Sequence, residues 1–154
     1  MADVVDAATR SRMMSRIRGR DTKIEVAVRK ALHSRGLRYR VDDRRLPGRP
    51  DIVLPRRKAV VLVHGCFWHA HDCGLCRIPA TRPEFWRDKL DANVARDARN
   101  NQALLDAGWR VATVWECALR GKGPEALSQT ADKILGWLQA AQRTLEIGAA
   151  LPRE

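Results

Sequence analysis

The chain of 154 residues is long enough for one domain with its own core, and its 45% hydrophobic and 31% charged residues are typical of a soluble globular protein. No apolar run is long enough to span a bilayer and the N-terminus lacks the apolar segment of a signal peptide, so we expect no membrane association and a cytoplasmic location. The net charge of +11 favours a polyanionic partner such as nucleic acid over the alternative of a merely soluble basic protein, and an acidic membrane surface fits less well without a strongly apolar amphipathic helix.

A basic arm and a helix are predicted first. Residues 9–20 hold five arginines and no acid, so we interpret residues 1–20 as a basic N-terminal arm, in which this stretch is an extended segment or a helix that lies on phosphates. A solvated basic face is the alternative. Thr22 to Glu25 fit a capping box and apolar residues follow at helical spacing, which predicts a helix over about 22–35.

Three strands are predicted next. The alternation of Leu37, Tyr39 and Val41 indicates one strand. Two apolar runs, at 51–54 and 59–63, indicate buried strands. The short turn between these two runs predicts that they pair antiparallel.

A long helix follows, opened by a second predicted capping box at Thr81 to Glu84 with a proline near its first position. We expect it to run to about Ala107. Its predicted apolar stripe consists of Leu90, Val94, Ala98 and Leu105.

A strand over 109–115 and a last helix opened by Pro124 complete the predicted order α-β-β-β-α-β-α. This order indicates an α/β domain with a mixed sheet flanked by helices. We place the folded domain at 21–142 and a C-terminal tail at 143–154. Three tryptophans are interpreted as core: Trp109, Trp115 and Trp137.

Cysteines and histidines cluster after the third predicted strand. In a reducing compartment such residues indicate metal binding rather than disulfides, and close spacing of thiols and imidazoles is typical of tetrahedral zinc. The candidates are Cys66, His69, His71, Cys73, Cys76 and, after the fourth strand, Cys117. Buried apolar cysteines beside surface histidines are the alternative. A structural site is favoured because four protein ligands leave no position for substrate, but spacing does not decide whether His69 or Cys76 is excluded.

An acid and a histidine lie at the ends of the two antiparallel strands. Asp51 opens the first strand and His64 ends the second. Adjacent strands lie about 5 Å apart, so these two residues can converge on one metal ion. Lone residues of these types at strand ends are common outside active sites, so the pair alone does not establish catalysis.

The wider sequence closely resembles the very short patch repair (Vsr) endonucleases over residues 5–140. The motifs that carry the resemblance are LPGRPD at 46–51, HGCFWH at 64–69, TRPEFW at 81–86, NVARD at 93–97, WECALRG at 115–121 and ATRSR at 8–12. The resemblance implies a fold similar to that of restriction endonucleases, which agrees with the predicted order of elements. It also implies an enzyme that nicks double-stranded DNA 5′ to the thymine of a T:G mismatch left by deamination of 5-methylcytosine.

The resemblance further implies roles for individual residues. Asp51 and the backbone carbonyl of Val63 match positions that bind catalytic Mg²⁺. The catalytic residues implied are His64, His69, Asp97 and Glu25. The structural Zn²⁺ ligands implied are Cys66, His71, Cys73 and Cys117. The aromatic residues implied to wedge into the duplex are Phe67, Trp68 and Trp86.

These implied roles are chemically reasonable. Phosphodiester hydrolysis needs an aligned water, a base and positive charge at the phosphate. His69 steered by Asp97 can serve as the base, and His64 can contact the phosphate or the metal-bound water. The adjacent Phe67 and Trp68 suit a wedge better than a strand core, because neighbours on a strand face opposite ways.

Three departures from the family pattern and two alternatives accompany this interpretation. Val63 stands where the pattern has a hydroxyl residue, although a carbonyl ligand survives that change; Ala70 interrupts a histidine run; Cys76 adds a thiol that could compete for zinc.

The alternatives are a restriction-type nuclease without a mismatch requirement and a non-catalytic zinc-stabilised nucleic-acid-binding protein. The resemblance also implies contacts with mismatch-repair proteins, and a monomer is expected because the lesion has no two-fold axis.

Overall fold

A computed structural model of the protein describes residues 22–73 and 77–148. The predicted basic arm, Cys76 and residues 149–154 of the predicted tail lie outside these ranges. The elements in chain order are α1 (Lys23–Ser34), β1 (Arg40–Val41), β2 (Ile52–Leu54), β3 (Ala59–His64), α2 (Pro83–Asp106), β4 (Arg110–Trp115), α3 (Gly123–Gln139) and β5 (Thr144–Ile147). The predicted α/β class is confirmed, and one further strand follows the last predicted helix. None of these three helices has the length and apolar character that a membrane crossing needs.

The five strands form one mixed sheet in the order β1-β2-β3-β4-β5. The pairs β1–β2 and β2–β3 are antiparallel, as predicted for β2 and β3 from their short connection. The pairs β3–β4 and β4–β5 are parallel. The register places His64 beside Trp115, so the loops that leave β3 and β4 begin side by side at the same edge of the sheet.

Apolar side chains cover both faces of the central strands. On one face Val61 packs in the same cluster as Leu32 of α1 and Ile134 of α3. On the other face Val60 packs with Leu104 of α2. Alternate residues of β3 therefore serve two separate cores, which explains why this strand is one continuous apolar run.

The inward face of α2 differs from the predicted apolar stripe. Leu90 and Leu104 are its buried residues, whereas Val94 is 43% exposed and Ala98 is exposed. The half-buried positions between the two leucines carry polar residues, namely Asn93, Asp97, Asn100 and Asn101. The prediction for Val94 and Ala98 was wrong because the middle of this helix lies over a polar cleft rather than over the core.

The start of α2 also corrects a prediction. The helix begins at Pro83, and its N-cap residue is Arg82, whose φ of 56° lies in the left-handed region. No side chain caps this end, so the capping box predicted at Thr81 does not form. The first predicted capping residue does cap its helix, because Thr22 Oγ1 accepts a hydrogen bond from the backbone N–H of Glu25 at 3.2 Å.

Strand β5 lies within the stretch interpreted as a C-terminal tail. It pairs in parallel with β4, and Ile147 is buried in the core. The sheet therefore continues beyond residue 142. The alternation of Leu145 and Ile147 was the available signal, but a four-residue edge strand gives too short a pattern to stand out.

Candidate active site and metal centre

A cleft of about 990 Å³ contains the predicted catalytic residues. Asp51, His64, His69 and Asp97 all line it. Five cationic side chains share its walls: Arg29, Arg44, Arg49, Lys89 and Arg96. The structure therefore brings two acids and two histidines together in strongly basic surroundings, which suit a phosphodiester.

The loop over residues 42–49 approaches α2 across the cleft. Arg49 donates two parallel hydrogen bonds to the Asp42 carboxylate, at 2.9 and 2.8 Å, and this fork holds the two ends of the loop together. Gly48 has a φ of +75°, and a Cβ atom there would lie 3.0 Å from the side chain of Asn100 on α2. A larger residue at position 48 would therefore be strained and would push the loop away from the helix.

Asp51 is held against the neighbouring strand. Its Oδ2 accepts a hydrogen bond from the backbone N–H of Val63 at 2.8 Å. Burial raises the pKa of Asp51 to about 7, the Val63 hydrogen bond opposes this rise, and the charge of Glu25 adds to it. A hard divalent cation beside these carboxylates would favour the ionised form, so the donor set fits Mg²⁺ or a similar ion.

His64 and His69 form a stacked pair. Their ring centroids are 3.7 Å apart and their planes differ by 3°. Burial, followed by the neighbouring His69, lowers the pKa of His64 to about 3, so His64 is neutral near pH 7. The pair lies at the end of β3 and in the loop that follows it.

Asp97 on α2 orients His69 through a hydrogen bond between its Oδ2 and the His69 Nδ1. Burial would raise the pKa of Asp97, but the hydrogen bond and the charge of His69 outweigh burial, so the pKa lies below its ordinary value. An ionised carboxylate only accepts, so Nδ1 of His69 carries a proton whether the ring is charged or neutral, and in the neutral ring Nε2 keeps the lone pair. His69 is thereby prepared to accept a proton.

The ligand atoms of His64, His69 and Asp97 lie within 4.8 Å of one another, which raises the possibility of a metal ion at this trio. An imidazole binds metal in its ring plane, and one ion cannot lie in both planes of two stacked parallel rings. The arrangement therefore suits acid–base chemistry better than metal binding.

A second cluster joins the loops after β3 and β4. The ligand atoms of Cys66, His71, Cys73 and Cys117 all lie within 4.8 Å of one another, so the four could hold one metal ion. Burial raises the pKa of the Cys66 thiol, because an isolated thiolate is unfavourable in a buried position. A bound metal ion would stabilise the thiolate there. His69 is not part of this cluster, because it is engaged by Asp97.

The predicted wedge residues also meet. Centroid distances between the rings of Phe67, Trp68 and Trp86 are 5.1, 5.5 and 5.9 Å. Phe85, which the sequence analysis did not single out, extends the group: it is 44% exposed and its ring lies 5.3 Å from that of Trp86. The guanidinium of Arg82 lies 4.6 Å above the Phe85 ring. The EFW triplet was the available signal for Phe85, but helical spacing could not show which neighbour faces outward.

Trp115, interpreted from sequence as core, connects the two sites. Its ring stacks on that of His71 at 4.0 Å and meets the edge of His64 at 5.3 Å. Its Nε1 donates a hydrogen bond to Glu146 on β5 at 3.1 Å. The metal cluster and the histidine pair are therefore separated by a single indole ring.

Comparison with known proteins decides the family. A family model described as DNA mismatch endonuclease Vsr matches residues 2–75. The chain is 48% identical to the DNA mismatch endonuclease Vsr of Escherichia coli (strain K12) over 138 residues, which cover 90% of this chain and 88% of that protein. The chain belongs to the Vsr family. The family resemblance read from the motifs is thus confirmed.

Other relatives of this Vsr-family chain are named as nicking enzymes. The Type II nicking enzyme V.XorIIP of Xanthomonas oryzae pv. oryzae is 46% identical over 123 residues, or 80% of this chain and 90% of the relative. The Type II nicking enzyme V.NmeAIP of Neisseria meningitidis is 44% identical over 122 residues, or 79% and 87%. Family and relatives agree on an endonuclease, which is the class of enzyme expected from the sequence.

The Vsr family match and the structure complement each other. The matched residues 2–75 contain the acid, the histidines and the first three cluster ligands. Asp97 and Cys117 lie outside that match, and the fold brings them to His69 and Cys66 respectively. Each candidate site is therefore completed by a residue that is distant in sequence.

Proposed function

We propose that the chain is a mismatch endonuclease that nicks one DNA strand 5′ to the thymine of a T:G mismatch, using Mg²⁺. The observation that carries the proposal is the position of Asp51 and the His69–Asp97 pair in one basic cleft of a Vsr-family chain. The names of the relatives support the two halves of this proposal: one is called a mismatch endonuclease and others nicking enzymes. A cytoplasmic monomer is part of the proposal.

The chain's own side chains supply the acid–base chemistry. The Nε2 of His69 takes a proton from the attacking water, and Asp97 holds the ring and stabilises the imidazolium that results. Neutral His64, stacked on His69, contacts the phosphate by a hydrogen bond. The water oxygen bonds to phosphorus, the bond from phosphorus to one bridging oxygen breaks, and the leaving oxygen takes up a proton.

Asp51 and the carbonyl of Val63 would hold Mg²⁺, which would supply positive charge at the phosphate. The hydrogen bond from Val63 N–H fixes the Asp51 carboxylate at the strand edge before any metal arrives. Glu25 provides a second buried carboxylate beside it.

The four-residue cluster holds a structural Zn²⁺ in this proposal. Four protein ligands would satisfy such an ion and leave no position for substrate. Cys66 and His71 enclose Phe67, Trp68 and His69 in sequence, so one ion fixes both the wedge and the base. This gives the zinc an indirect part in catalysis, through the position of the loop.

The aromatic group made by Phe67, Trp68 and Trp86 is the proposed mismatch sensor. A T:G pair stacks less well than a matched pair, so inserting rings beside it costs less unstacking energy. Phosphate contacts from the cleft cations carry no sequence information, and discrimination therefore falls to the wedge. The Phe85 ring, next to Trp86, lies where it can extend the contact.

The proposal is tested with three substrates of one sequence: a T:G duplex, a T:A duplex and single-stranded DNA, each with and without Mg²⁺. We expect nicking of the T:G duplex alone, only with Mg²⁺, and no nicking by Asp51→Ala, which should still fold and bind DNA. Equal cutting of the T:A duplex would support the restriction-type nuclease instead. Binding without cutting in Mg²⁺ would support a non-catalytic DNA-binding protein.

A further inference from the structure

Arg29 lies inside the cleft, and neither a sequence motif nor the family resemblance gave it a role. It is one helical turn after Glu25 on α1, and it lines the same cavity as Asp51 and Val63. Its Nη2 lies 3.1 Å from Glu25 Oε2, and the two side chains are 11% and 4% exposed. This pair is therefore unlike the solvent-exposed ion pairs that contribute little to stability.

The charge of Arg29 acts on the carboxylates of the candidate metal site. Glu25 raises the pKa of Asp51, and Arg29 opposes that effect, so all three groups lie within electrostatic reach of one another. With both acids ionised, the positive charge of Arg29 lies beside their negative charges. Arg29 thus occupies the position of a counter-ion beside the carboxylates that would bind a divalent cation.

We propose that Arg29 is a catalytic residue whose guanidinium binds the phosphate that is cut, and that Glu25 holds it in place. The inference rests on the proposed nuclease function. A guanidinium carries five N–H donors in a planar fork, so it can bind Glu25 and a phosphate oxygen at the same time. The hydrogen bond from Arg29 Nη2 to Glu25 Oε2, formed within helix α1, holds the guanidinium in the cavity that Asp51 also lines.

This arrangement predicts two opposite effects when the guanidinium is removed. Loss of a charge-assisted contact to the phosphate in the transition state should lower kcat about 100-fold. Loss of a positive charge beside Asp51 and Glu25 should strengthen the binding of a divalent cation by about tenfold. An Arg29 that only neutralised the carboxylates would produce the second effect without the first, so kcat and cation affinity are measured separately.

The experiment compares Arg29→Met, Arg29→Lys and Arg29→Ala with Lys30→Met, which removes an exposed charge from the same helix. Steady-state nicking of the T:G duplex at saturating Mg²⁺ gives kcat and KM. Mn²⁺ binding to the DNA-free, zinc-loaded protein, followed by electron paramagnetic resonance, gives cation affinity without activity. Guanidinium ion at millimolar concentration is then added to Arg29→Ala.

We expect Arg29→Met to lose kcat and to bind Mn²⁺ more tightly, Arg29→Lys to retain part of the activity, and guanidinium to restore part of the Arg29→Ala rate. Lys30→Met should match the wild type in both measurements. A kcat for Arg29→Met within about threefold of wild type, or a loss that guanidinium does not restore, would overturn the proposal. If the wild type nicks no T:G duplex, the proposed nuclease function fails. Equal Mn²⁺ affinities of the wild type and Arg29→Met would overturn the role of Arg29, and this measurement does not depend on nicking.

Discussion

Replacing Asp51 with asparagine should stabilise the folded protein at alkaline pH while it abolishes nicking. The amide keeps the shape of the side chain and an oxygen that can accept the Val63 N–H hydrogen bond, but it carries no charge. In the wild type, burial raises the pKa of this carboxyl from 3.8 to about 7. The ionised group is therefore a cost to the folded state when no metal is bound.

The sign and size follow from this pKa difference. Below pH 4 Asp51 is protonated in both folded and unfolded protein, and its full contribution to stability is present. As the pH rises towards 7, mainly the unfolded form loses its proton, so the free energy of unfolding of the wild type falls by about 4 kcal/mol in total. About 2 kcal/mol of this loss falls between pH 5.5 and 8.5. Asp51 keeps some exposure to the cleft, which makes these values upper bounds.

The assay is denaturant unfolding of the wild type and Asp51→Asn, both zinc-loaded, at pH 5.5, 7 and 8.5 in buffer free of other divalent ions. The cluster of Cys66, His71, Cys73 and Cys117 is common to both proteins, so its own pH dependence cancels in the difference. We expect the advantage of the variant to grow with pH, and added Mg²⁺ at pH 8.5 to stabilise the wild type alone. A difference that is independent of pH, or a variant less stable at pH 8.5, would refute the assignment of a buried, cation-binding carboxyl.

Three other expectations concern single side chains. Asp97→Asn should lower kcat by about 10²- to 10⁴-fold at nearly constant KM, because an amide N–H would favour the His69 tautomer that lacks a lone pair on Nε2. A kcat within about threefold of the wild-type value would contradict this role of Asp97. Cys117→Ser should lose the one bound zinc and melt at a lower temperature, whereas Cys76→Ser should keep it, and metal analysis giving the reverse pattern would contradict the ligand set. Trp68→Ala should keep its affinity for T:A duplexes but lose about 1–3 kcal/mol of preference for T:G at fixed salt, and an unchanged ratio would place the sensor elsewhere.

Local patterns in the sequence predicted most of the fold. The capping residue Thr22 and the helical spacing after it predicted α1, and the apolar runs at 51–54 and 59–63 predicted β2 and β3 together with their antiparallel pairing. These signals work because each depends on neighbouring residues alone. The dense cysteines and histidines after β3 likewise predicted a metal cluster, and Cys117 was included because it follows a strand.

The remaining features depend on what lies opposite a residue in space. The inward face of α2 is polar where the helix crosses the cleft. Val94 is exposed there, so apolar periodicity alone predicted the wrong face for this part of the helix. The ion pair between Glu25 and Arg29 could be read from their i, i+4 spacing, but its position beside Asp51 could not. Trp115 was assigned to the core because a strand residue gives no sign of which site adjoins it.

The indole of Trp115 contacts three residues from different parts of the fold. One face of the ring lies on His71 of the candidate metal cluster, the edge of His64 meets the ring, and the indole nitrogen donates a hydrogen bond to Glu146 on the outermost strand. One ring is therefore in contact with His71, His64 and Glu146 at the same time. We expect truncation of the chain after residue 142 to remove Glu146, and with it one of the three contacts of the ring, and so to loosen the positions of His64 and His71.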